Sequence, residues 1–379
     1  MTHSADFSIS TNRRPQAISL FAGVGGLDYG MEAAGFSIAL AVEKDPHTAA
    51  QYQQNFPKTP VLCADISQLS SQEIRNHINP QRNTYIDLVV GGPSCQGFSR
   101  IGKRDPQDSR NQGVSHFVRL IGELHPRAFL MENVASMRDS RYAELINNCW
   151  QQLLSYGYQI QEWKLNAANY GVPQSRERLF WVGCLDTFIP PPAPVEQRIT
   201  VYDALADLLP LEPLLSLDKD ILETNRQPGK YSQYLNTIFT PPPSWNPHRL
   251  SGCTLTNHSP SVIERFITTP TGETEPISRL YRLDYQGQST TLRAGTASEQ
   301  GGHTAPRPIH PEFPRVITVR EAARLSSFPD WFQFHPTKWR GHRQIGNAVP
   351  PLLARAVGMQ LINALVTTPS TDKGDKGDK

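Results

Sequence analysis

The sequence predicts an α/β fold: a mostly parallel sheet with helices on both faces, accompanied by a smaller, loop-rich domain. Three observations support this prediction. Short apolar runs alternate with stretches of helical period in the first half of the chain, a glycine cluster follows the first run, and prolines break the pattern after Gly183. Near-continuous apolar strands are expected where helices cover both faces of a parallel sheet.

The predicted strands are short apolar runs that end at polar residues or glycines. They cover residues 17–21, 37–42, 61–63, 86–90, 128–131 and 179–183. Apolar residues recur at helical spacing over 114–124 and 145–154, and Gly157 follows the second stretch as a C-terminal cap. Thr318 and Glu321 form a capping box that starts a further helix, and a last helix is expected over 351–365.

Composition limits the possible functions. The 379 residues carry a formal net charge of +2, so any nucleic-acid contact must come from a locally basic face. No apolar run is long enough for a membrane span, and the polar first 15 residues lack a secretory signal. The 5 cysteines are scattered and form no Cys-x-x-Cys pair, which argues against disulfides and zinc. We therefore expect a cytoplasmic protein with no metal.

The glycine cluster from Phe21 to Gly26 lies between the first predicted strand and a helix. Glycines there permit a tight turn and a close approach to a ligand at the carboxyl end of the strand. Glu43 ends the second strand and can accept hydrogen bonds from ribose hydroxyls. Asp65 ends the third and can accept an adenine amino group, with Ile66 packing on the ring.

No phosphate-binding Lys-Ser or Lys-Thr pair follows these glycines, which favours a nucleoside without a triphosphate, such as S-adenosylmethionine. A plain tight turn with surface carboxylates is the alternative interpretation of each residue taken singly.

Cys95 follows the fourth predicted strand within Gly91-Gly-Pro-Ser-Cys-Gln-Gly-Phe-Ser99. Glycines and polar residues surround it, as expected for a reactive thiol, whereas a structural cysteine more often lies inside an apolar run. The polar residues 99–110 are a candidate lid. Glu132 ends the next strand, and burial there can raise the pKa of its carboxyl group toward neutrality, so that it can donate a proton.

Arg176 and Arg178 start the last predicted strand and alternate onto one face. Guanidinium groups in this position can hold a carbonyl oxygen and a nearby phosphate. A surface ion pair with Glu177 is the alternative.

Together these motifs make the chain resemble the bacterial-type DNA (cytosine-5) methyltransferases over most of its length. The motifs, in family order, are those at residues 21–26, 42–43, 64–66, 92–97, 131–134, 174–178, 318–329 and 344–350. The resemblance implies a Rossmann-like S-adenosylmethionine-dependent methyltransferase sheet and a separate target-recognition domain. It also implies duplex DNA as substrate and S-adenosylhomocysteine as product.

The resemblance further implies roles for individual residues. Cys95 adds to C6 of a flipped-out cytosine, Glu132 binds N3 and the amino group, Arg178 holds O2 and Arg176 supports the site. Cofactor contacts are expected from a second group, in which Asn347 returns from the C-terminal part of the chain. This group comprises Phe21, Gly23, Gly25, Glu43, Asp65, Ile66, Pro93 and Asn347.

By the same resemblance the chain divides into five segments. Residues 1–15 and 367–379 are flexible tails, 16–185 bind cofactor and catalyse, 186–330 recognise the target, and 331–366 return to the catalytic domain. Ser99, Arg100 and Arg293 are the expected DNA contacts, although a generic loop is an equal alternative for Arg293. We expect a monomer, with a cognate restriction endonuclease that acts independently.

Three residues depart from the family pattern: Ser19 replaces a frequent acid, Lys44 a frequent aromatic, and Ser94 a second proline.

Two alternative functions remain. A tRNA cytosine-5 methyltransferase uses the same chemistry, but Gly97 and the long insert argue against it. A catalytically silent DNA-binding relative is disfavoured because the chain retains Cys95 and Glu132.

Overall fold

The computed structural model describes residues 14–78, 86–93, 112–295 and 306–367. A seven-stranded sheet in the order β3-β2-β1-β4-β5-β7-β6 forms its centre. The first five strands run parallel, and β7 runs antiparallel to both of its neighbours. The strands are β1 (Gln16–Leu20), β2 (Ser37–Glu43), β3 (Val61–Cys63), β4 (Leu88–Gly91), β5 (Ala128–Asn133), β6 (Gln159–Asn166) and β7 (Glu177–Cys184).

Helices cover the sheet and build most of the regular structure beyond it. They are α1 (Gly26–Ala34), α2 (Pro46–Asn55), α3 (Ser71–His77), α4 (Gln112–Leu124), α5 (Ala143–Ser155), α6 (Val201–Leu205), α7 (Lys230–Ile238), α8 (Pro260–Thr268), α9 (Val319–Leu325), α10 (Lys338–Asn347) and α11 (Pro351–Thr367). Two short strands, β8 (Leu222–Glu223) and β9 (Arg249–Leu250), pair with each other.

The structure confirms the predicted α/β class and most predicted elements. Helices α4, α5, α9 and α11 occupy the expected stretches. The capping box of Thr318 and Glu321 is present, and Gly157 adopts the left-handed conformation, with φ of 91°, after α5. The sequence analysis missed β6, because this edge strand is largely polar and half-exposed and so lacks a continuous apolar run.

Residues 186–330 contain more helix than the sequence predicted. Helices α6, α7 and α8 have only 5, 9 and 9 residues, which is too short for a clear helical period among so many prolines. Leu205, Leu235 and Phe239 from this segment share one apolar core with α1 and α11. The proposed domain boundaries therefore run through a continuous core, and they stay a prediction.

The last helix packs closely on the first. A Cβ atom at Gly30 would lie 2.3 Å from the Cβ of Ala354, and one at Gly358 would lie 2.8 Å from the Cβ of Ala34. Within the described residues, the segment Lys338–Val366, which contains α10 and α11, has the length and composition of a membrane span. However, 56% of its most apolar window is buried inside the protein. This burial is typical of a core helix.

Candidate active site

The sheet gathers the predicted site residues at one edge. Parallel strands β1 to β5 end there, and antiparallel β7 begins there, so strand ends separated in sequence lie side by side. Glu43, Asp65, Pro93, Glu132 and Arg178 all lie at or near these ends. This is the position at which open α/β sheets bind ligands.

The glycine turn after β1 has a backbone that needs its glycines. Gly23 and Gly25 have φ of 58° and 92°, and Phe21 also has a positive φ of 55°. A Cβ atom at Gly26 would lie 2.5 Å from the carbonyl oxygen of Val349. The segment around Asn347 therefore returns to the glycine turn, as the sequence predicted. Asn347 itself is exposed at the end of α10.

Glu43 is held by backbone donors on both sides of its carboxylate. Oε2 accepts a hydrogen bond from the Gly23 amide at 2.9 Å, and Oε1 accepts one from the Asp45 amide at 2.8 Å. Burial raises the pKa of Glu43, and these hydrogen bonds oppose the rise. The carboxylate is thus fixed beside the glycine turn.

Asp65 is an ionised carboxylate, and both of its oxygens accept hydrogen bonds. Oδ1 accepts hydrogen bonds from the Ser67 amide at 3.0 Å and the Ser67 hydroxyl at 2.9 Å, while Oδ2 contacts Lys44 Nζ at 2.5 Å. The hydrogen bond from Lys44, followed by the Ser67 amide, lowers the pKa of Asp65 to about 2. Ile66 is buried beside it, and its accessible surface is only 4% of its maximum.

A buried acid lies behind the glycine turn, next to Ser19. Asp28 in the first turn of α1 accepts hydrogen bonds from Ser19 Oγ and Tyr52 Oη, both at 2.6 Å. A carboxylate therefore lies in direct contact with Ser19. Burial raises the pKa of Asp28 to about 6.

Glu132 and Arg178 form a buried ion pair at the centre of the edge. Arg178 Nε lies 2.8 Å from Glu132 Oε1, and their side chains are only 12% and 10% exposed. A Cβ atom at Gly92 would lie 3.2 Å from Glu132 Oε2, so the end of β4 adjoins the pair. Burial raises the pKa of Glu132, against the positive charges of Arg178 and Arg176.

Pro93 lies between the glycine turn and the end of β5. Asn133 Nδ2 donates a hydrogen bond to the Pro93 carbonyl at 3.2 Å. A Cβ atom at Gly113 would lie 3.4 Å from the Cβ of Pro93 and 3.7 Å from the ring of Phe21. The predicted nucleophile Cys95 and the predicted DNA contacts Ser99 and Arg100 lie outside the described residues.

Arg176, whose positive charge opposes the rise in the pKa of Glu132 on burial, binds two distant parts of the chain. Its Nη1 donates to the Leu292 carbonyl at 3.0 Å, and its Nη2 donates to the Gly346 carbonyl at 2.9 Å. Its accessible surface is only 2% of its maximum. Arg176 therefore connects the segments around Leu292 and Gly346 to the start of β7, close to Arg178 in the sequence.

Gln174 adds to this connection, and the sequence analysis did not single it out. Its Nε2 donates to the Leu325 carbonyl at 3.2 Å and to Ser326 Oγ at 2.9 Å, while its Oε1 accepts from the Leu292 amide at 3.1 Å. The alternation of Gln174, Arg176 and Arg178 was the available signal, but their partners were not visible in the sequence.

A polar cavity of about 480 Å³ opens between the segments that follow β5, end β6 and begin β7. Thr291 forms part of its wall and donates a hydrogen bond to the Ser175 carbonyl at 2.8 Å. Asn166 Nδ2 donates to Ser175 Oγ at 3.2 Å. Arg293 is exposed two residues beyond Thr291. The lining residues, most of which the sequence analysis did not single out, are Ala135, Ser136, Asn166, Ser175, Glu177 and Thr291.

Comparisons with known proteins match the same stretch of chain. The profile of the family described as C-5 cytosine-specific DNA methylase matches residues 16–363. The type II methyltransferase M.XorII of Xanthomonas oryzae pv. oryzae is 44% identical over 94% of this chain and 86% of its own length. The type II methyltransferase M1.HphI of Haemophilus parahaemolyticus is 32% identical over 90% and 84%, respectively.

One solved structure is similar over almost the whole chain. It is a prophage-encoded E. coli protein described as a DNA modification methyltransferase, with a TM-score of 0.76 and 36% identity. The match covers 93% of this chain and 100% of that one.

Proposed function

Because the chain belongs to the C-5 cytosine-specific DNA methylase family and is thus a cytosine-C5 DNA methyltransferase, we propose that it acts through a covalent adduct between Cys95 and cytosine C6. The buried Glu132–Arg178 pair carries this proposal. It lies beside Gly92, three residues before Cys95 in the sequence, at the ligand-binding edge of the sheet. An acid and a guanidinium in one desolvated site match the N3 and O2 atoms of a flipped-out cytosine.

The proposed reaction makes C5 nucleophilic. The Cys95 thiolate forms a bond to C6 while Glu132 donates a proton to N3 and Arg178 donates a hydrogen bond to O2, which stabilises the charge that develops on the ring. Carbon 5 then attacks the methyl donor. Water accepts the C5 proton, the bond between sulfur and C6 breaks and the N3 proton returns to Glu132, which releases neutral 5-methylcytosine and restores the thiolate.

The methyl donor that fits the other half of the edge is S-adenosylmethionine, which supplies an electrophilic methyl group and leaves as S-adenosylhomocysteine. The strained turn from Phe21 to Gly25 permits close approach of the ligand to backbone amides. In this proposal Glu43, fixed beside the glycine turn, accepts hydrogen bonds from the ribose hydroxyls, and Asp65 accepts one from the adenine amino group. Ile66 packs against the ring, and Asn347 lies at the rim. No step of this proposal uses a metal.

Duplex DNA is the proposed partner at the polar cavity. Its hydroxyl and amide groups can bind a backbone phosphate next to the flipped nucleotide, and exposed Arg293 adds a positive charge close by. The type II methyltransferases to which the chain is similar suggest a restriction-modification system, with a cognate endonuclease that acts separately on the same sequence. We further propose a cytoplasmic monomer, because the chain brings both halves of the site together by itself.

Trapping on DNA that contains 5-fluorocytosine tests the proposal. Fluorine at C5 cannot leave as a proton does, so the wild type should accumulate a covalent complex in the presence of cofactor, and Cys95→Ser should form none. Cys63→Ser is the matched control, because Cys63 is an exposed thiol at the same sheet edge. An adduct mapped to any cysteine other than Cys95 contradicts the mechanism.

Bisulfite sequencing of DNA from cells that express the protein should identify the methylated sequence. Labelled methyl transfer to tRNA but not to duplex DNA would instead favour the RNA alternative.

A further inference from the structure

Lys44 forms an ion pair with Asp65, whose carboxylate is proposed to bind adenine. Its Nζ atom lies 2.5 Å from Asp65 Oδ2. The other oxygen, Oδ1, already accepts two hydrogen bonds from Ser67. A ligand amino group that reaches Asp65 therefore meets an acceptor that is already bound to an ammonium group.

The backbones of the two residues cannot separate easily. Glu43 pairs with Cys63 in the parallel register of β2 and β3, and the Ala64 amide donates to the Glu43 carbonyl at 3.1 Å. The Lys44 side chain, by contrast, is 73% exposed. Only this flexible side chain has to move for Asp65 Oδ2 to be freed, and water can solvate its ammonium group once it moves.

We propose that Lys44 is a latch on the adenine subsite: its ammonium competes with the adenine amino group for Asp65 and so sets the affinity for the cofactor. This inference rests on the proposed role of Asp65. An exposed ion pair of this kind is weak and screened by salt. Its removal should therefore tighten cofactor binding by no more than about fivefold.

Calorimetric titration of S-adenosylhomocysteine tests the latch without any turnover. This ligand has no net charge, so bulk salt effects on its binding are small. Lys44→Met should bind it about two- to fivefold more tightly than the wild type at low salt. Added sodium chloride should tighten binding to the wild type toward the value of the variant and leave Lys44→Met unchanged. Lys44→Arg should retain the salt dependence.

A matched control is available at the other end of the sheet. Lys164 forms an ion pair with Glu177 at 3.1 Å and is 58% exposed, so Lys164→Met removes a comparable pair without affecting the adenine subsite. Its affinity for S-adenosylhomocysteine should equal that of the wild type.

Asp65→Asn separates the latch from the proposed function. If Asp65→Asn does not weaken ligand binding, the adenine subsite itself is misplaced. If it weakens binding but Lys44→Met leaves the affinity unchanged or lowers it, the latch is wrong and the subsite stands. Lower affinity in Lys44→Met would indicate that Lys44 donates a hydrogen bond to the adenine ring.

Discussion

The ligand-binding edge of the sheet has two halves: a cofactor half around Glu43 and Asp65, and a target half around Glu132 and Arg178. The two halves are built in different ways. In the cofactor half, Glu43 binds the Gly23 amide 20 positions away, and Lys44 binds Asp65 21 positions away. In the target half, Arg176 binds carbonyls that are 116 and 170 positions away. Apart from the returning segment at Asn347, the first half is therefore formed by neighbouring parts of the chain, whereas the second depends on Leu292 and Gly346 from the C-terminal part.

This difference has a functional consequence. Since Arg176 holds Leu292 of the target-recognition segment and Gly346 of the returning segment, the target half depends on the correct placement of both. The contacts of Glu43 and Asp65 involve neither segment. Variants of the two halves should therefore separate cofactor binding from methyl transfer.

Glu132→Gln should have the largest effect. The amide cannot donate the acidic proton to N3, so the rate of methyl transfer at saturating cofactor should fall by about 10²- to 10⁴-fold. The affinity for S-adenosylhomocysteine should stay within about twofold, because Glu132 lies in the other half of the edge. Single-turnover transfer of a labelled methyl group and calorimetry measure the two quantities.

Glu162→Gln is the control for this variant. Glu162 lies on β6 of the same sheet, pairs with Arg138 and does not line the polar cavity, so its loss should leave the transfer rate nearly unchanged. Equal losses of transfer in the two variants would contradict a chemical role for Glu132, and thermal melting of both would show whether unfolding explains the result.

Arg176→Met should have the next largest effect, because it should misplace the segments that Arg176 holds next to the site. It leaves the buried carbonyls of Leu292 and Gly346 without donors, at a cost of about 1–3 kcal/mol each. We expect a lower melting temperature and a fall of about tenfold to a hundredfold in kcat/KM for DNA. Arg176→Lys should recover part of both. If cofactor affinity falls as far as kcat/KM, the two halves are not separable.

The sequence predicted the acidic residues of the edge because each follows an apolar run, and the carboxyl ends of parallel strands meet at one edge. Glu43, Asp65 and Glu132 were found in this way. The contacts of Arg176 could not be predicted, because their acceptors are backbone carbonyls, which every residue has. Only the fold decides which carbonyl comes within reach.

Asp28 was missed for a related reason. The sequence showed that Ser19 lacks the expected acid, but an acidic residue on α1 is usually exposed. The tertiary contacts of Asp28 with Ser19 and Tyr52 bury it instead.

Glu43→Gln should weaken the cofactor half alone. The amide has only one acceptor oxygen, so it can accept from only one of the Gly23 and Asp45 amides, and its NH2 group faces the other donor. It also accepts weaker hydrogen bonds from ribose hydroxyls, so the Kd for S-adenosylhomocysteine should rise about tenfold. The transfer rate at saturating cofactor should remain close to that of the wild type. A loss of this rate that excess cofactor does not restore would show that the cofactor half also shapes the target half.

The smallest expected effect concerns the buried acid behind the glycine turn, and it depends on pH. Burial raises the pKa of Asp28 from 3.8 to about 6, so the folded protein binds this proton more tightly than the unfolded chain does. The contribution of Asp28 to stability is therefore complete below about pH 4 and is lost as the pH rises through 6. Asp28→Asn carries no such proton, so its stability should fall less than that of the wild type between pH 5 and 8.

Chemical denaturation at these two pH values measures the change. Glu32 also titrates in this range, because burial and the charge of Asp28 raise its pKa to about 7, and the variant lowers this second contribution as well. Glu73→Gln is the control: Ser70 hydrogen bonds lower the pKa of this exposed carboxyl, so its effect should be equal at pH 5 and 8. Affinity for S-adenosylhomocysteine should change less than about threefold in Asp28→Asn, since a neutral side chain of the same shape still supports the turn. If the difference in stability between Asp28→Asn and the wild type is the same at pH 5 and pH 8, Asp28 is ionised at both. The hydrogen bonds from the hydroxyls of Ser19 and Tyr52 would then offset its burial.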